Sequence, residues 1–212
     1  MTFTLSIATA LGAVVLLCAF LQISRRRVVA LLTLSRVSAL ALCAACFCRG
    51  FALHEVPLFG VGALILASQL FALPHLIRRM MRDFNTTPET KLAVPLTWSM
   101  FIGLLPVGLA VAGIAPMTKT PLSSEAGVMA IAFAVILLGL WLIIIQNQFL
   151  AQMIGFITLE NGLVLGLINV EGPAWAAGIA VITLLGLVAC LVLIGYWRHH
   201  AAQQPRSDGA GW

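Results

Sequence analysis

Glu160 and Asn161 stand side by side in "GFITLENGLVLGL", residues 155–167, inside a run that is otherwise apolar. A carboxyl group can take up or release a proton, and placing a charged one at the centre of a bilayer costs about 3 kcal/mol on insertion scales. Two uses offset such a cost: a protonatable relay, or a neutral or paired acid that fixes helix packing. Residues four and eight positions apart on a helix are neighbouring rows of one face. Gln152 and Gln148 therefore form a loose polar trail from Glu160 to the inner end of its span, roughly 12 Å over eight residues. Asn161 suits an interhelical hydrogen bond. Gly155, Gly162 and Gly166 mark a small-residue face, the last two in small-xxx-small spacing, which lets another helix come close and points Glu160 at protein instead of lipid.

Arg36, in "LLTLSRVSAL", is the one basic residue well inside an apolar run, about eight positions from the run's inner end. It needs a partner. Glu160 is one, as the intramembrane acid of this chain; a carboxylate on a neighbouring subunit is the other. Ser68, Gln69 and His75 add polar points to the third run, read as helix-to-helix hydrogen bonds and an interfacial histidine. Cys43-x-x-Cys46 lies in "ALALCAACFC" with no further Cys or His in register, so these are packing residues. His199 and His200 are adjacent and do not share a helix face, which argues against a metal site. The sequon Asn85-Thr86-Thr87 falls on an inner loop and is a chance match. No metal set, phosphate-cradling loop or catalytic triad is recognisable, so neither cofactor nor self-contained catalysis is expected.

The elements that must position these residues follow from composition. Of 212 residues, 61% are hydrophobic and 9% charged, with mean hydropathy +1.07; soluble domains carry charge on about a quarter of residues. Repeated apolar runs near 20 residues fit helices crossing a core about 30 Å thick, not the short alternating strands of a barrel. The fold class is therefore all-α, a polytopic membrane protein. Seven spans are expected, near 3–23, 29–48, 57–77, 93–115, 126–146, 149–170 and 175–197. With the N-terminus outside, the inner face receives Arg25, Arg26, Arg27, Arg78, Arg79, Arg82, Lys91, Arg198 and Arg206, and the outer loops only Arg49 and Lys119. The positive-inside rule thus places the N-terminus outside and the C-terminus in the cytoplasm. The net charge of +5 is explained by that location, and nucleic acid is not an expected partner. Positive charge follows the first apolar run instead of preceding it, so the run is not read as a cleaved signal peptide. The tight "QNQ" turn at 146–148 makes spans five and six antiparallel neighbours. The organisation is then 1–92, three helices and a cytoplasmic loop; 93–125, the fourth helix and an outer loop; 126–198, a three-helix unit; and 199–212, a polar cytoplasmic tail.

"LLGLWLIIIQNQFLAQMIGFITLENGLVLGL", residues 137–167, resembles component E of the group 4 membrane-bound hydrogenases, formate-hydrogenlyase type included. The likeness extends to length, seven-span layout and motif order. Spans five to seven also look like the K subunit of respiratory complex I and the C subunit of Mrp-type antiporters. Ile154, Gly155 and Asn161 match the K-like middle helix, Ile157 stands where its acid usually lies, and Glu160 follows one turn later. The final span has no acid, its chief polar side chain being Thr183, and Gln69 stands where a relative carries Lys. The resemblance implies a noncatalytic subunit that links membrane modules of a complex I-like or hydrogenase-type assembly in a bacterial inner membrane. It implies antiporter-like membrane partners, peripheral iron-sulfur or nickel-iron subunits reached indirectly, and a part in redox-coupled proton or sodium translocation. Glu160 would be the relay, with Gln152, Gln148 and Asn161 in support and Arg36 and Gln69 as candidate charge partners.

Overall fold

Apolar runs of this length have one way to satisfy their backbone in hydrocarbon, by hydrogen bonding within the segment, and every regular element described is a helix. The computed structural model describes residues 2–53, 56–83, 96–114 and 124–168, together with 178, 179, 181–186, 188, 191 and 195. In chain order the helices are α1 (Thr2–Ser24), α2 (Val28–Leu53), α3 (Val56–Ile65), a π-helical segment (Leu66–Ala72), α4 (Leu73–Asp83), α5 (Leu96–Ile114), α6 (Ser124–Ile145) and α7 (Phe149–Leu167). Five continuous helical stretches are long and apolar enough to cross a membrane, and α5 contributes a shorter apolar helix, Trp98–Gly113. The chain is thus a multi-pass helical membrane protein. Most of the expected seventh span lies outside the described residues, as do Lys91, Lys119, Cys190, the 85–87 sequon and the tail with His199, His200, Arg198 and Arg206.

Two helices outrun their expected ends. α2 continues past residue 48 to Leu53, and α4 past residue 77 to Asp83, because no Pro follows in either stretch and Leu, Met and Arg are good helix formers. Arg78, Arg79 and Arg82 are therefore helical residues and not part of a loop.

α7 is the axis of the bundle, with 67% of its span buried against 39–56% for the other four. Its tightest neighbour is α6, and glycine is the reason. A Cβ added at Gly139 would lie 2.7 Å from the Leu159 Cα, one at Gly162 would lie 2.7 Å from the Ile136 nitrogen, and one at Gly155 would lie 3.0 Å from the Ile143 nitrogen. No side chain fits there without parting the two backbones. Gly166 makes an ordinary contact, its Cβ position 3.6 Å from the Ala132 Cβ. The small-residue face of α7 is therefore turned to α6, as the tight Gln146–Gln148 turn between them requires.

Elsewhere the core divides into apolar layers. Val28, Leu31, Leu73, Ile77, Met153 and Ile157 pack together at the end of the bundle nearest the Gln146–Gln148 turn. Leu42, Cys46, Ile65, Val128, Val164 and Ile179 pack toward the other end. Cys43 and Cys46 belong to the packing of α2 on α3: the Cys43 thiol donates to Gly62 O at 3.3 Å, and a Cβ on Gly62 would lie 3.3 Å from the Cys46 Cβ.

Candidate functional site

Between those two apolar layers runs a belt of polar side chains. On α7, residues 158–161 fall between Ile157 of one layer and Val164 of the other, and the facing helices supply polar residues at the same level. Gln69 donates through Nε2 to Asn161 Oδ1 at 2.6 Å, and Asn161 donates through Nδ2 to Ser38 Oγ at 3.3 Å. One amide thereby ties α7 to both the π-helical segment and α2. The Thr158 hydroxyl donates to Gln22 Oε1 of α1 at 2.7 Å, with Ile154 O a second acceptor at 2.9 Å. Each of these groups is buried, so the hydrogen bonds replace water that cannot reach them.

Glu160 belongs to this belt but not to its hydrogen-bond chain. It is 6% exposed and lies about 3 Å from the midpoint of α7, two residues beyond position 158 at roughly 1.5 Å per residue. Among the described residues no hydrogen bond or ion pair holds its carboxyl. Instead the carboxyl lies against Gly186: a Cβ there would fall 2.7 Å from Glu160 Cδ, so any larger residue would require the carboxyl to turn away from its present position. Glu160 also lines a cavity of about 700 Å³ between the π-helical segment and the helical residues Thr183, Gly186 and Leu191. Gln69 and Thr183, 5% and 2% exposed, share its wall, and each has a buried oxygen without a partner among the described residues, Gln69 Oε1 and Thr183 Oγ1. An oxygen so placed costs about 1–3 kcal/mol unless a water or ion meets it.

The π-helical segment positions Gln69. The Leu73 N–H bonds to Ser68 O, five residues back, and Pro74 follows directly. Proline has no N–H to give and its ring meets the carbonyl four residues before it, so the preceding turn cannot close as an ordinary α-turn. π-turns of this kind recur at functional sites.

The residues expected from sequence fall into three groups. Glu160, Asn161 and Gln69 do converge, Gln69 as a hydrogen-bond partner of Asn161. Gln152 does not extend a trail to Glu160: its amide donates to Gln146 O at 2.8 Å, anchoring α7 to the turn, while Gln148 is the extended residue that precedes the helix. Arg36 does not pair with Glu160. It lies two residues from Ser38, about 200° around α2, so when Ser38 meets Asn161 the arginine is carried to another face. There it is half-buried, and its Nε is sealed from solvent with no hydrogen-bond partner among the described residues. Sequence reasoning missed Gln22, Ser38 and Gly186. The first two were visible as polar residues inside apolar helices; Gly186 carried no such mark, because its role appears only when the last span packs on Glu160.

Comparison with protein-family models, with curated proteins and with solved structures found no match to this chain.

Proposed function

We propose that this chain is a noncatalytic subunit of a complex I-like or group 4 hydrogenase-type assembly, seven-spanning with its N-terminus outside, in a bacterial inner membrane. Its role is to join membrane modules and to take part in redox-coupled proton (or sodium) translocation through Glu160. Electron-transfer centres would reside in peripheral iron-sulfur or nickel-iron subunits, and antiporter-like membrane subunits would be its neighbours. One observation carries the reading: a carboxyl at mid-span, 6% exposed and unpaired among the described residues, opens onto a cavity shared with two oxygens that likewise have no partner among them. A purely structural acid is expected to be bonded to its neighbours; an exchanging one needs a free coordination sphere and a route. Arg36 agrees with membership of an assembly, since a half-buried guanidinium whose Nε has no partner among the described residues fits a carboxylate on an adjoining subunit.

The test is isolation through a C-terminal tag in mild detergent, mass spectrometry of the companions, and reconstitution of the complex with Glu160→Gln. Large antiporter-like companions and a tenfold or greater loss of ion translocation in an assembled mutant are expected. Normal pumping by Glu160→Gln would defeat the relay. A second reading, a self-standing small ion transporter, draws support from the π-helical distortion of the third helix beside a midplane acid, since transporters place ion sites at irregular helix turns near the midplane. Recovery of the chain without companions, together with ion flux in liposomes, would favour it.

A further inference from the structure

The cavity at Glu160 does not end there. Its wall runs along the third helical stretch from Ser68 and Gln69 to His75, and along the last helical residues from Thr183 and Gly186 to Leu191. Six residues separate Gln69 from His75 and five separate Gly186 from Leu191, so it extends about 8–9 Å along the bundle at roughly 1.5 Å per residue. The direction is fixed by packing. Leu73 and Ile77, which flank His75, join the apolar layer with Val28, Leu150 and Met153, so His75 lies toward the Gln146–Gln148 turn. Ile77 is buried while His75 is exposed on the opposite face of α4, at the mouth of the cavity.

We propose that Glu160 exchanges its proton through this side cavity and that His75 is the protonatable group at its entrance. The proposal rests on the relay reading of Glu160 and replaces the path along Gln152 and Gln148, whose amide at Gln152 is committed to Gln146 O. The cavity holds many times the roughly 30 Å³ of a liquid water. Ser68 donates its hydroxyl to Ile65 O at 3.1 Å and so presents lone pairs to the cavity, as does the Gln69 oxygen whose amide nitrogen is engaged by Asn161. Such acceptors order water for proton hopping. The step balances simply. A neutral Glu160 carboxyl passes its proton to a water, the excess proton migrates to one imidazole nitrogen of His75, and the proton on the other nitrogen leaves to the adjoining solution. Uptake is the reverse. Imidazole is suited to this because each ring nitrogen can take a proton while the other gives one up. Among the described residues of the cavity wall Glu160 is the one other titratable side chain; Arg78 and Arg79 follow His75 on α4, exposed. Much of the remaining wall, Phe71, Leu73, Ile157 and Leu191 among it, is apolar, so the polar groups above are where water would be held.

Two measurements test this on the assembled complex in inverted membrane vesicles. The first places a cysteine at Ala72, on the cavity wall, and at Leu105, on the outward face of α5, each in a background without the native cysteines. A charged, membrane-impermeant methanethiosulfonate should label the Ala72 site from the cytoplasmic side at least tenfold faster than the Leu105 site. If Ala72→Cys reacts only with a lipid-soluble maleimide, the groove holds acyl chains or a dry partner helix and the route is overturned. The second compares His75→Ala with Glu160→Gln. Proton translocation should fall at least fivefold in His75→Ala and recover with added imidazole, which a structural role would not allow. Normal translocation in His75→Ala beside an inactive Glu160→Gln overturns this inference alone, whereas normal translocation in both overturns the relay reading beneath it.

Discussion

The hydrogen bond between Gln69 and Asn161 joins the distorted third helix to the central one, and its contribution can be isolated. Asn161→Ala removes two side-chain hydrogen bonds, to Gln69 at 2.6 Å and to Ser38 at 3.3 Å. Bonds of this kind within membranes contribute about 0.6 kcal/mol on average and up to about 1.7. The substitution also leaves the whole Gln69 amide unpaired, since Oε1 already has no partner and the residue is 5% exposed. An orphaned buried polar group adds about 1–3 kcal/mol, so the total is about 2–4 kcal/mol. Gln69→Ala loses a single bond and removes the partnerless oxygen with it, but leaves the buried Asn161 Oδ1 without its donor, and about 1–3 kcal/mol is expected. If the two act through each other, the double mutant should lose about 1 kcal/mol less than the sum of the singles. The assay is reversible unfolding of the purified chain in mixed micelles by SDS titration, followed by far-ultraviolet circular dichroism. Additivity within roughly 0.3 kcal/mol would refute the claim that this contact couples the helices.

Gly162→Leu should destabilise the same preparation by about 3 kcal/mol or more, because its Cβ would fall 2.7 Å from the Ile136 nitrogen and 3.0 Å from Ala132 O, neither of which can yield as a side chain could. Gly108→Ala, with nothing within 4 Å, should change stability by no more than about 0.5 kcal/mol. Arg36→Glu should cut recovery of companion subunits in mild detergent at least tenfold while Arg36→Lys retains them. Unchanged assembly and activity in Arg36→Glu would remove every pairing suggested for that arginine.

Spacing in the sequence reached the helical class, the antiparallel pair around Gln146–Gln148 and the small-residue face of α7, because each depends on residues close together in the chain. It also singled out Glu160, Asn161 and Gln69, since polar groups in apolar runs carry a cost that marks them. What it could not reach was rotation about the helix axes. Arg36 and Ser38 are equally polar points on one span, and only the packed bundle decides which of them meets α7. Gln152 likewise shares a face with Glu160, yet its amide finds the nearer carbonyl of Gln146 at the turn. Gly186 needed the last helix to be docked before its missing side chain acquired a meaning.

The π-helical turn of the third helix did leave a trace, in the spacing of its buried residues. Ile65, Gln69, Leu73 and Ile77 are all buried and lie four apart. On a regular α-helix each four-residue step overshoots a 3.6-residue turn by about 40°. Three such steps would carry Ile77 about 120° away from the face on which Ile65 packs. Yet Leu58, Val61 and Ile65 pack in one apolar layer and Leu73 and Ile77 in the other, both against α2 and α7. A turn closed i→i+5 holds more residues than an α-turn and absorbs most of the overshoot. The π-helical segment is therefore what keeps a four-residue stripe on one side of the bundle, and Pro74 fixes where the extra residue is taken up. Gln69 sits inside that segment, and its reach to Asn161 follows from the same winding.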